Sequence, residues 1–455
     1  MEAAISAIAS EIFSRILSLL SKKYRDHTAM DEKLKRLQQL LLRIHAVVDE
    51  ADGRYITNPT MLIQLKLLVE SMYRGYHMVD IFKYKSLWEK IRHEEGVLQN
   101  LEAAIANMTE FVVLLGGCDP CRRPYDTYLY TDNFMFGRHV EKQHIINILL
   151  QDRGRHGAPM VLPVIGGCRV GKKTLVSHVC KNDRIQSHFS LILFINGDSI
   201  WRIMDHEKFR NGRTLVVIEF FTDVDDDDWV KFYSNVTRLA AEGSKVIIIS
   251  RIQNLARFGT VKAVFLNSLS REEYSYLFKM LAFGSIDENN HPRLASIANE
   301  LAVVLGGSLI TANVIADLLR RKYDAQFWLR ILQRFKVMVD NNLLMYGEHP
   351  KDILENERPI DITSFISSYH SALRLMPPRI EKDESSERKL AHIAFGDLIT
   401  GCIAVPNDRF VLVTWESRIP PYTKLVADVE CAEETHECST STRKRRSSVR
   451  FPQGN

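Results

Sequence analysis

The chain has 455 residues, 45% hydrophobic and 25% charged, with a formal net charge of +4. That is the ordinary globular range, with room for two to four domains of roughly 100–200 residues each. So small a charge argues against a general nucleic-acid coat, and no run of about 18 apolar residues is present to span a membrane.

Met1-Glu2 opens acidic ahead of a helical apolar pattern, so no secretory leader is expected. Seven scattered cysteines fit reduced thiols in a cytoplasmic or nuclear protein. Residues 1–21 place Ile5, Ile8, Ile12, Ile16 and Leu19 at three- and four-residue spacing, and residues 31–50 repeat it with Leu34, Leu37, Leu41, Ile44 and Val48. Both read as amphipathic helices. Asn58-Pro59 is an N-cap followed by proline at the first helical position; the helix it opens carries Leu62, Leu65, Val69, Met72 and Tyr76. A fourth helix runs over about 94–115 with Leu98, Leu101, Ile105, Met108 and Val112. Such helices with short connections make a four-helix bundle over 1–115, and the stripes are its core.

Residues 116–133 read as a linker. Cys118-Asp-Pro-Cys121 has metal or redox spacing, but no second pair or nearby histidines complete a zinc site, so the pair is read as structural and no metal site is expected. From 134 the texture changes. Short apolar runs recur at 161–165, 191–195, 214–218, 246–250 and 261–266, with helix-sized segments such as 228–242 between them. That alternation means a parallel, doubly wound sheet. At its first strand, Val161-Leu-Pro-Val-Ile ends at Gly166 and Gly167-Cys-Arg-Val-Gly171-Lys172-Lys173-Thr174 follows. Strand, Gly-x4-Gly-Lys loop and helix form a phosphate-binding loop, in which backbone N–H groups cradle phosphates and Lys172 neutralises them. The motif needs a hydroxyl after the lysine to ligate Mg²⁺, and Lys173 stands there. The acidic run Asp223 and Asp225 to Asp228 reads as a solvated helix N-terminus rather than a metal site.

Helices alone are expected over 271–345: Glu272 to Phe283, Pro292 to Leu305, Leu309 to Lys322 and Phe327 to Val339. Residues 346–427 read as an irregular segment rich in proline and charge, with one β-like piece at Phe410–Trp415. The tail 428–455, ending near Arg443-Lys-Arg-Arg446, has the composition of a disordered segment.

The order of these motifs resembles the plant coiled-coil, nucleotide-binding (NB-ARC) immune receptors, over about residues 1–340. Phe136-Gly137-Arg138 is similar to the family's adenine-side motif. Leu215-Val-Val-Ile-Glu219-Phe220 matches its acidic strand, and Gly243-Ser-Lys-Val-Ile-Ile-Ile-Ser-Arg251 the strand ending in a sensor arginine. Gly306-Gly307-Ser-Leu309-Ile falls where the family has Gly-Leu-Pro-Leu, and Asp80 is what remains of the bundle's acidic motif. The resemblance implies a multidomain α and α/β protein: an Rx-type helical bundle (1–115), a P-loop NTPase-like domain (134–285), a helical subdomain (286–345) and the irregular C-terminal segment. It implies ADP or ATP held by Phe136, Gly137, Arg138, Gly166, Gly167, Gly171, Lys172, Lys173, Thr174 and Arg251. Departures accompany it. Lys173 replaces the Mg²⁺-ligating hydroxyl, Glu219 and Phe220 replace two aspartates, and no Met-His-Asp motif or leucine-rich repeat follows. Glu219 remains the one candidate catalytic group. Metal-free ADP is therefore favoured over Mg·ATP, and hydrolysis is expected to be impaired. The implied role is a nucleotide switch or scaffold in defence, acting on protein partners, itself or another receptor through residues 1–115. The alternatives are a nucleotide-independent adaptor or decoy and a slow P-loop ATPase.

Overall fold

The computed structural model describes residues 32–84, 96–120, 136–151, 158–197, 212–284, 286–366, 372–381, 390–401, 406, 409–416 and 424–432. The first expected helix, Cys121 and residues 433–455 of the expected tail lie outside the described residues, whereas 428–432, expected to open that disordered tail, are the end of a paired strand.

Helix α1 covers 32–52 and α2 covers Pro59–Tyr84. Asn58 opens α2 as the sequence implies: its side-chain oxygen accepts from the Thr60 N–H at 2.9 Å. Leu37, Leu41, Ile44, Leu62, Leu65 and Met72 are buried in one cluster, so those stripes are bundle core. The single helix expected over 94–115 is instead two, α3 (Val97–Ala106) and α4 (Met108–Gly116), broken at Asn107. Asparagine is a poor helix-interior residue because its amide competes for backbone groups. The break changes the phase of the apolar stripe, so Phe111 and Leu115 are buried while Val112 is 43% exposed.

Helix α5 (His139–Leu150) leads into a five-stranded, wholly parallel sheet. Its strands are β1 (Met160–Gly166), β2 (Leu191–Asn196), β3 (Thr214–Phe220), β4 (Lys245–Ser250) and β5 (Val264–Leu266), in the order β2-β3-β4-β1-β5. Successive strand residues point to opposite faces. Leu162, Val164, Leu215, Val217, Ile247 and Ile249 pack on one face against α5 and helix α6 (Lys172–Cys180). Val161, Ile165, Val216, Ile218, Val246 and Ile248 pack on the other against helix α7 (Asp226–Leu239). Asp225 caps α7 by accepting from the Asp226 N–H, and Arg257 pairs with Asp223 and Asp226. The acidic run is thus a helix N-terminus, and among the described residues no cluster of metal-binding groups occurs.

Four helices follow: α8 (Arg271–Phe283), α9 (Pro292–Val304), α10 (Leu309–Arg320) and α11 (Ala325–Tyr346). Ser270 opens α8 with a capping box to Glu273, the reciprocal arrangement that satisfies two otherwise orphan donors.

The C-terminal segment carries more regular structure than its composition suggests. After the short helix α12 (Pro350–Glu355) come β6 (Ile360–Asp361), β7 (Ala372–Leu375), β8 (Arg379–Ile380), β9 (His392–Ala394), β10 (Phe410–Glu416) and β11 (Lys424–Ala432). They form a six-stranded sheet in the order β9-β10-β11-β7-β6, with β8 also on β11. Phe365, Leu373, Phe410, Leu412 and Val429 share one buried cluster with Phe278, Leu319, Trp328 and Phe335 of the helices. Among the described residues no helix is long and apolar enough to cross a membrane.

Candidate functional site

Gly166 ends β1 against β5, where a β-carbon would lie 2.3 Å from the carbonyl oxygen of Leu266. Only glycine lets these two strands close up at that point. The loop then climbs to Gly171, which takes φ 91° as N-cap of α6, a conformation that L side chains rarely adopt. Nothing lies within 4 Å of a β-carbon built there, so the backbone is open towards the helix N-terminus. Such an N-terminus, with its unpaired N–H groups, is a ready anion cradle.

Lys172 donates to the carbonyls of Gly166 (2.9 Å) and Gly167 (2.6 Å). Burial pulls its ammonium below the ordinary lysine range. Lys173 reaches across to Glu219 at 2.9 Å. Alternation along β3 explains that meeting. Positions 215, 217 and 219 face α6, whereas 216, 218 and 220 face α7. Phe220 is therefore buried against Trp229, ring centroids 6.5 Å apart, and is not a group of the loop at all. Phe220, which stands in sequence where the resembling family has a second aspartate, thus faces the α7 core and not the loop.

A cavity of about 260 Å³ opens above the loop. Of the sequence-derived candidates, Phe136, Arg138, Gly171, Lys172, Lys173, Thr174 and Glu219 line it. Gly137, Gly166, Gly167 and Arg251 do not line it but flank it in the backbone and at the strand ends. Arg138 is buried and donates to the carbonyls of Asn267 (2.5 Å) and Val170 (3.4 Å), tying the loop to the end of β5. Phe136 also packs on Tyr73 of the bundle, centroids 5.0 Å apart. Arg251 follows Ser250, which pairs with Ile165 in register, and its guanidinium meets Glu357 at 2.9 Å.

Sequence reasoning missed several walls. Leu269, Leu277 and Ile310 give the cavity an apolar side, and Phe221 replaces Phe220 at its rim. Ile380, Trp415 and Leu425 close it from the C-terminal sheet, and Arg169 donates to the carbonyl of Pro378 at 3.4 Å. Only the β-like run at 410–415 hinted at this wall, and nothing local gave its partner. An apolar slot beside converging cations fits a base and a phosphate chain. The donor set does not fit Mg²⁺: no hydroxyl follows Lys172, and the Glu219 oxygen is engaged by an ammonium.

Residues 8–111 match the Rx N-terminal domain. The chain is 24% identical over 345 residues to disease resistance protein RGA2 of Solanum bulbocastanum, covering 65% of this chain and 35% of that protein. RGA4 of the same species is 27% identical over 375 residues, 71% of this chain and 37% of its own length. RPP13-like protein 1 of Arabidopsis thaliana is 21% identical over 396 residues, with coverage of 72% and 37%. The chain thus spans little more than a third of the length of these relatives. Domain III of the Thermotoga maritima replication initiation protein DnaA aligns over 47% of this chain and 99% of its own at 15% identity, with a TM-score of 0.31.

Proposed function

Because this chain is a relative of the plant disease resistance proteins of the coiled-coil, NB-ARC (NLR-type) class, we propose that it works as an immune-receptor-like switch or scaffold. In this reading it holds an adenine nucleotide and signals by protein association through its N-terminal bundle. The observation that carries the reading is the Lys173–Glu219 pair at the phosphate loop. Phosphoryl transfer needs a divalent metal bridging the terminal phosphates and a group that orients water. Here the Lys173 ammonium stands beside the loop, so charge on a diphosphate is offset without metal, and the Glu219 carboxylate is engaged by it rather than free to organise water. The backbone N–H groups at the start of α6 would hold the phosphates, Lys172 would neutralise them, and Leu269, Leu277 and Leu309 would flank the base. The result is a chain built to retain ADP, not to turn ATP over.

Nucleotide content of the purified chain, measured after denaturation in chelator, tests this. ADP at near-stoichiometric amounts is expected in the parent and none in Lys172→Ala. A parent that carries no nucleotide would favour the adaptor reading, and Mg²⁺-dependent turnover in the parent would favour the ATPase.

A further inference from the structure

Two non-glycine residues among the described ones take positive φ, Arg169 at 54° and Glu357 at 59°. They lie on opposite sides of one junction, Arg169 in the phosphate loop and Glu357 just beyond α12. The turn at Glu357 is a Schellman motif: its N–H donates to the Leu354 carbonyl at 3.2 Å, and the Arg358 N–H to that of Ile353 at 3.0 Å. That left-handed position is where glycine is strongly favoured. This chain places a glutamate there, against its conformational preference, and the carboxylate meets Arg251 at 2.9 Å.

Arg251 is the first residue past β4, and β4 is hydrogen-bonded to the strand that feeds the phosphate loop. By the alternation that puts Ile247 and Ile249 on the α6 face, Arg251 falls on the loop's side of the sheet. Its charge is among those that lower the Lys172 ammonium. A second carboxylate, Glu355 at the end of α12, is raised by burial and drawn down by Lys351, Arg169 and Lys172. The segment 355–357 therefore brings two acids to the cations beside the loop.

We propose that Glu357 sets how many phosphates the site accepts: it occupies Arg251, so a diphosphate is taken as it comes and a third phosphate must displace the carboxylate. This rests on the nucleotide reading above and deepens it. The end of a phosphate chain seated on α6 lies at the carboxyl ends of the strands, the region Arg251 occupies. The pair is open to solvent, with side chains 43% and 69% exposed, so it is weak and exchangeable. Displacing it also loosens a contact that holds the turn after α12 to the nucleotide module.

Calorimetry on the full chain in chelator, with ADP and ATP, tests the proposal in the parent, Glu357→Gln and Glu357→Gly. The glycine variant suits the turn better than glutamate does, so loss of fold does not confound it. The parent is expected to bind ADP more tightly than ATP. Both variants should tighten ATP by about two- to fivefold, the range of an exposed ion pair, with ADP unchanged. An ADP-to-ATP ratio equal in parent and both variants overturns the role of Glu357 while leaving the nucleotide site standing. A parent that binds neither nucleotide overturns the site itself, and this inference with it.

Discussion

The ammonium of Lys173 meets the carboxylate of Glu219 at 2.9 Å because residue 219 shares the α6 face of β3 with Leu215 and Val217. Replacing the lysine by threonine frees that carboxylate and supplies the missing hydroxyl together. Lys173→Thr is therefore expected to make ADP affinity rise with Mg²⁺, where the parent shows no metal dependence; equal titrations with and without Mg²⁺ in the variant would refute it. Phe220 has the opposite fate. Its ring is 3% exposed in the α7-side core, so Phe220→Asp leaves a cavity and buries a carboxylate. A loss of about 3–5 kcal/mol is expected, read as a lower urea midpoint, with no gain in hydrolysis. The loop, its lysines and the acidic strand were legible because glycine spacing and charge are local signals. Which of two adjacent strand residues faces the loop was not legible: alternation says only that 219 and 220 differ, and the packing of Leu215 and Val217 on the α6 side decides which is which. Trp415 and Leu425 were not legible as cavity walls, since nothing near them in sequence names their partner.

Helix α8 ties the nucleotide module to the bundle. Lys279 meets Asp80 of α2 at 2.7 Å and Glu288 at 2.9 Å, with the first two side chains almost fully buried. Burial pushes the Asp80 carboxyl up to about 6, although Lys279 opposes the shift. Because the folded value lies above that of a free aspartate, the folded chain holds the proton more tightly than the unfolded one. The stability tied to Asp80 is full below about pH 4 and is lost as pH rises through about 6. Asp80→Asn cannot titrate, so urea midpoints of parent and variant should diverge across that window, the parent losing ground as pH rises. Parallel curves from pH 4 to 7 would sink the idea. Removing the other partner is harsher. Lys279→Ala strands a buried carboxylate and is expected to cost about 3–5 kcal/mol, measured by the same titration. The helices themselves were legible from their stripes, but the pairing of Asp80 with a residue 199 positions away was not.

At the scale of the whole molecule, one buried cluster runs from Tyr274 to Val429, across the boundary that composition suggests at 345. The strands beyond that point pair with partners distant in sequence, β7 with β11 and β9 with β10, and several hold only two to four residues. Strands so short leave almost no periodic signal, which is why the segment reads as irregular until folded. Ending the chain at 345 would uncover Phe335, which is buried in the full chain and packs on Phe365 and Phe395. A product of residues 1–345 is therefore expected to aggregate or bind a hydrophobic dye, while 1–432 stays monodisperse by size-exclusion chromatography.

Helix α8 has one more property. Leu277 borders the cavity above the phosphate loop, Tyr276 packs on Tyr73 and Tyr76, and Lys279 grips Asp80. One rigid rod thus has its side chains in two different modules. The bundle of this chain is consequently not a detachable cassette. Grafting residues 1–115 from a relative without also grafting 271–283 would oppose Tyr276 and Lys279 with a foreign surface. Such chimaeras should fold only when donor and recipient match at positions 73, 76 and 80, and breeding or laboratory shuffling of these modules meets its barrier at this helix.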